Sequence, residues 1–242
     1  MAGTGRGIRA FGVAGVVARG VYAGLRTRRD ERFRRTNYAG RSVDLYSGPA
    51  VALGTLAGSA TLPTRAAGLF AVGAGALCGA YDDLHKDHRR GFRDHLSALR
   101  KGEVTSGSVK LIGIGGGALV AGALLKERPL DKVLAGVVVA GSAHLVNLVD
   151  LRPGRATGAV LALAAPGLLR GAEAAVPMGA AVAVLADDLG ERTMIGDSGA
   201  HALGAALGVA IAEGNGRAGL ALHAAGLLAV AAWAEFRISR SR

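Results

Sequence analysis

Cysteine is nearly missing from this chain: Cys78 is the only one, so no intrachain disulfide framework can form. Aromatic residues make up 4% of the 242 residues. Charged residues make up 19% and are clustered, whereas an ordinary soluble domain carries about 25%, spread over its surface. The 39 glycines show no period of three, which excludes collagen. What is present is apolar. Half of the residues are hydrophobic and the mean hydropathy is +0.34, too apolar for a disordered chain. The class that remains is an all-α, polytopic membrane bundle forming one domain over residues 1–242.

The net charge of +11 raises the question of nucleic acid. The basic stretches have almost no interleaved aromatics, so stacking platforms for bases are lacking, and no nucleic-acid partner is expected. The surplus reads instead as topology. Apolar runs at about 8–25, 48–63, 66–82, 108–125, 132–149, 157–170, 174–189, 200–213 and 217–236 give about nine spans. Several are shorter than the roughly 20 residues an upright helix needs. The pair 157–170 and 174–189 is the weakest. Placing 26–47, 85–107, 150–156, 190–199 and 237–242 on one side collects 19 Lys/Arg against 8 on the other. The positive-inside rule makes that side cytoplasmic, with the N-terminus outside and the C-terminus inside a plasma membrane. No cleavable signal peptide is expected, since Arg26, Arg28 and Arg29 follow the first run. Gly, Ala and Ser dominate the spans, which suits close helix packing in lipid.

Charges at the ends of apolar helices are costly and point to function. Four places stand out: Asp82-Asp83, Asn147 with Asp150, Asp187-Asp188, and Gly196-Asp197-Ser198-Gly199. In the topology above all four reach the cytoplasmic face. Carboxylates gathered from several helices repel unless a cation neutralises them. Mg²⁺ takes hard oxygen ligands, often one or two carboxylates plus substrate phosphates. Arg41, Lys86, Lys110 and Arg192 lie on the same face and suit a polyanionic substrate. The chemistry indicated is phosphoryl transfer, where positioning and charge stabilisation carry most of the catalysis. Competing readings are weaker. His85, Asp87 and His88 are in an exposed basic segment without cysteine, which argues against zinc. The Gly-Asp-Ser-Gly fragment lacks His/Asp partners for a protease. The glycine run at 113–117 has no preceding strand and no following Lys-Ser, so it is no nucleotide loop.

Taken in order, these motifs resemble the polyprenyl-phosphate N-acetylhexosamine-1-phosphate transferases, the family that includes the phospho-MurNAc-pentapeptide transferase of peptidoglycan synthesis. The resemblance runs from about residue 34 to residue 240. Asn37 to Asp44 with Gly48 look like the family's first cytoplasmic loop, which contains Arg41. Gly79-Ala80-Tyr81-Asp82-Asp83 resembles its paired-aspartate motif, followed by the basic position Lys86. Gly107-Ser108-Val109-Lys110-Leu111 resembles the segment with a phosphate-binding lysine. Asn147-Leu148-Val149-Asp150 matches the first half of an Asn-x-x-Asp-Gly-x-Asp-Gly motif. Gly196-Asp197-Ser198-Gly199 with Leu203-Gly204 matches the metal-aspartate motif, with Arg192 on a basic position upstream. The resemblance implies transfer of a sugar-1-phosphate from a UDP-sugar to polyprenyl phosphate, with Mg²⁺ as cofactor and release of UMP, in envelope glycan synthesis. It implies Asp197 as metal ligand, and Asp82, Asp83 and Asp150 as catalytic groups. Arg41, Lys86, Lys110, Asn147 and Arg192 would bind substrate. The partners implied are the two substrates and the lipid bilayer, with a homodimer left open.

The departures from the family pattern are specific. Pro153 stands where the second aspartate of the Asn-x-x-Asp motif should be, preceded by the foreign pair Leu151-Arg152. Asp44 and Ser47 replace the loop's usual Pro and Gly, and Asp187 replaces an Asn. The family's histidine-rich loop would lie beyond Trp233-Ala234-Glu235, and this sequence stops at Arg242. A catalytically impaired paralogue that binds lipid phosphate or organises an envelope-synthesis complex is therefore the alternative. A transporter fits less well, because no internal repeat is visible and the carboxylates gather at one face rather than at the midplane.

Overall fold

A computed structural model describes residues 2–28, 30–85, 97, 100–103 and 105–240. Among the described residues nine α-helices carry the fold: α1 (Ala2–Leu25), α2 (Ser47–Ala60), α3 (Arg65–Leu84), α4 (Ser106–Leu125), α5 (Pro129–Val149), α6 (Arg155–Ala164), α7 (Ala175–Leu189), α8 (Gly196–Glu213) and α9 (Arg217–Arg240). The fold is all-α, as the apolar runs predict. Four helices are long and apolar enough to cross a membrane: 3–25, 106–125, 129–149 and 217–237. The other five are not. At 1.5 Å per residue, the 14-residue α2 and 15-residue α7 reach only about 21 and 22 Å, short of the roughly 30 Å hydrocarbon core. The weak span at 157–170 is a ten-residue helix that tightens into a 3₁₀ turn at Ala165–Leu169, where Pro166 sits. Proline there removes a backbone donor and ends the regular α-helical ladder.

One element is absent from the sequence reading. Arg34–Thr36 (β1) pairs antiparallel with Ser42–Asp44 (β2), Arg34 opposite Asp44 and Thr36 opposite Ser42. The ribbon is tied to the α7–α8 turn through Thr193 and Met194, which bond the carbonyl of Asp44.

Helix α8 is the axis of the molecule. Fourteen of its 18 residues are buried, and α2, α3, α4, α5, α6 and α7 all touch it. That enclosure depends on small residues. The two large core clusters consist mainly of Ala and Val, with few long side chains, so backbones approach closely. In contrast, α9 packs chiefly on α5. It leaves Leu222, Leu228, Trp233 and Phe236 exposed, with Arg237 over the Trp233 ring and Arg240 over the Phe236 ring.

Candidate active site

The site forms where three helix ends meet. Asp82 and Asp83 close α3, Lys110 lies in the second turn of α4, and Asp197 opens the central α8. Each local element has a clear cause. Thr105 caps α4 in a reciprocal capping box with Ser108, which fixes where that helix starts and hence where Lys110 projects. Gly196 begins α8 at φ +57, a left-handed conformation that glycine adopts without Cβ strain. Gly79 of α3 lies against the Asp197 carbonyl so tightly that a Cβ there would collide with it.

The Lys110 ammonium bridges two carboxylates, 2.9 Å from Asp82 Oδ2 and 2.7 Å from Asp197 Oδ2. Asp83 turns the other way. Its Oδ1 accepts the backbone N–H of Asp197 at 3.1 Å and its Oδ2 that of Ser198 at 3.0 Å. A carboxylate from α3 thus satisfies two of the orphan donors at the start of α8, where the helix dipole also favours negative charge. The backbone carbonyl of Asp83 is in turn held by the Arg35 guanidinium from β1. The adjacent aspartates therefore do different work: one faces the ammonium, and the other fixes the helix that presents Asp197.

Asp150 caps the C-terminus of α5, one turn after Asn147. Desolvation raises its carboxyl from the ordinary range up to about 8, and the negative charges of Asp188, Asp197 and Asp83 add to the effect. Aspartates from four helix ends, Asp83, Asp150, Asp188 and Asp197, therefore act on one another's field, and of these only Asp197 is paired with the Lys110 ammonium.

Other expected site residues are placed differently. Arg41 lies 3.5 Å from Glu191, which also accepts from the Asn37 amide at 2.7 Å. Arg192 donates to Asp187 at 2.8 Å and to the Ala186 carbonyl. Both arginines thus find their partners outside the Asp82–Lys110–Asp197 group, and of the expected basic surround among the described residues only Lys110 is in it. Lys86 lies outside the described residues. The Asp187-Asp188 pair has structural partners. Asp187 also takes Arg19 of α1 at 2.6 Å. Asp188 accepts from Gly154 N–H and the Thr157 hydroxyl at the start of α6. Arg19 and Arg35 were missed from sequence. An arginine inside an apolar run, as Arg19 is, signals a buried partner; nothing marks Arg35 among its many basic neighbours.

Among the described residues no three His, Cys, Asp or Glu side chains converge as a ready-made metal cage. Asp82 and Asp197 carry hard carboxylate oxygens of the kind Mg²⁺ takes alongside substrate phosphates, and the Lys110 ammonium lies between them. No protein-family model matches the chain, and neither a curated protein nor a solved structure matches it.

Proposed function

We propose that this chain is an integral-membrane enzyme that transfers a sugar-1-phosphate from a UDP-sugar to polyprenyl phosphate at the cytoplasmic face, releasing UMP. We place it in the plasma membrane with about nine helical segments, the N-terminus outside and the C-terminus inside. The observation that carries the reading is the meeting of Asp82, Lys110 and Asp197 from three helices at one end of the bundle. Those are the positions the sequence resemblance marks for aspartate pair, phosphate lysine and metal ligand.

In the net reaction an oxygen of the lipid phosphate bonds to the β-phosphorus of the donor. The bond from that phosphorus to the bridging oxygen breaks, and UMP leaves with that oxygen. Lys110 would hold a phosphate oxygen through a charge-assisted hydrogen bond, and Asp82 would keep that ammonium oriented. Asp83 acts as a positioning residue by holding the start of α8. Asn147 and Asp150 would line the donor side. Asp82 and Asp197 would hold Mg²⁺, which when bound offsets the charge of the phosphates.

Lys110 already bridges Asp82 and Asp197 without a metal, and Pro153 replaces an expected aspartate. These two observations favour the alternative of an impaired paralogue that binds lipid phosphate without transfer. Purified protein incubated with Mg²⁺, undecaprenyl phosphate and a panel of UDP-sugars separates the two. UMP release dependent on the lipid supports the transferase; binding of the lipid phosphate without UMP from any donor supports the paralogue.

A further inference from the structure

A second polar feature lies on the other face of the β1–β2 ribbon. A cavity of about 230 Å³ is lined by Arg26, Arg28, Asp30, Arg34, Asp44 and Arg192, together with further β2 residues and Tyr46, the residue before α2. Strand alternation explains the separation. Arg34 and Asp44 are opposite each other in the ribbon and share one face, whereas the next residue, Arg35, points the other way to the Asp83 carbonyl. The cavity and the carboxylate corner thus lie on opposite faces of one short ribbon.

The cavity brings four guanidiniums against two carboxylates, and both carboxylates are already engaged. Asp30 takes Arg32 in a two-pronged pair, and Asp44 Oδ1 accepts the Tyr46 N–H and the Thr193 hydroxyl. Arg34 leans on exposed Glu31 at 3.1 Å, and Arg192 holds Asp187. Arg26 lies over the Tyr22 ring, 5.8 Å from its centroid. Neither Arg26 nor Arg28 has an ion pair among the described residues. Arginine forks match phosphate oxygens, often with two parallel hydrogen bonds. The volume sets the ligand's size: it is below the roughly 300–1,000 Å³ of sites that enclose a drug-sized molecule. A phosphate or diphosphate group fits; a whole nucleotide sugar does not.

We infer that this arginine-lined cavity is an anion site for a phosphate or diphosphate group, separate from the carboxylate corner and independent of whether the chain is a transferase. Its position just past the end of α1, a candidate membrane span, allows two sources for that group, an anionic lipid headgroup or a soluble phosphate.

The test is calorimetric titration of inorganic pyrophosphate into the full-length protein in phosphatidylcholine nanodiscs. Saturable binding is expected, and Arg26→Gln/Arg28→Gln should weaken it at least tenfold. Arg28→Gln alone, at a side chain with no ion pair among the described residues, should weaken it about threefold or more. Arg217→Gln, which removes an exposed arginine paired with Asp131 at the start of α5, should leave it unchanged. Repeating the titration in nanodiscs with 30% phosphatidylglycerol tells the sources apart: a weakened apparent affinity identifies a lipid headgroup as occupant, and an unchanged one identifies a soluble phosphate. Absence of saturable binding, equal binding by the double variant, or an equal loss of binding in Arg217→Gln overturns the inference.

Discussion

Asp82 and Asp83 are neighbours in sequence with separate tasks, and substitution should separate them. Asp83→Ala removes the acceptor for two α8 backbone N–H groups. It should lower stability by about 0.5–2 kcal/mol, the usual cost of a lost cap, while Asp83→Asn, which keeps one oxygen, should cost less; thermal unfolding checks both. Lys110→Met leaves Asp82 and Asp197 facing each other without their cation. Breaking a buried pair costs about 3–5 kcal/mol; these side chains are about a quarter exposed, so the loss should be nearer 2 kcal/mol. Millimolar Mg²⁺ should restore part of it. A loss that Mg²⁺ does not relieve would argue against a shared cation position. Asp150 gives a pH signature. Its folded pKa of about 8 lies above the ordinary carboxylate value, so the folded state binds the extra proton. Its contribution is present below about pH 4 and is lost as pH rises towards 8. In Mg²⁺-free buffer the melting temperature should fall between pH 5 and 8, and Asp150→Asn should flatten that slope.

At the scale of elements, α8 and its close contacts decide whether the site exists. Gly79→Leu should push α3 off the start of α8 and break the Asp82–Lys110–Asp197 meeting. Transfer activity and melting temperature should fall together; an unchanged protein would show that the close contact is dispensable. The helices were legible because apolar runs broken by charge are a strong signal. The ribbon was not: strands of three residues carry too little periodicity, and Arg34–Thr36 sits within a basic stretch that reads as a loop. Of the weakest pair of spans, 157–170 is divided at Pro166, whereas 174–189 forms the single helix α7. The carboxylates at helix ends were legible as costly charges, and Asp82 and Asp197 do meet. What sequence could not show was the division of labour. Whether an aspartate faces an ammonium or caps another helix depends on the angle of approach, as Asp82 and Asp83 show. Arg41 and Arg192 were expected in a basic surround but pair with Glu191 and Asp187, acidic residues on the same turn-bearing segment of chain.

For the whole molecule, the proposed orientation puts the ribbon inside and the α4–α5 turn outside. Tyr38 and Leu130 are well exposed, and Cys78 is buried, so Tyr38→Cys and Leu130→Cys give clean reporters. An impermeant thiol reagent added to intact cells should label Leu130→Cys only, and the reverse pattern would invert the topology. The central claim is that Asp197 holds a metal-assisted phosphoryl-transfer site at the cytoplasmic face. Its most direct test is the rate of UMP release from a UDP-sugar and undecaprenyl phosphate by wild type and Asp197→Asn, at matched folding and saturating Mg²⁺. The account predicts lipid-dependent release in the wild type and a fall of roughly 10²–10³ in the variant, the scale of one lost transition-state contact. Equal rates in the two proteins, or no release by either, would contradict it.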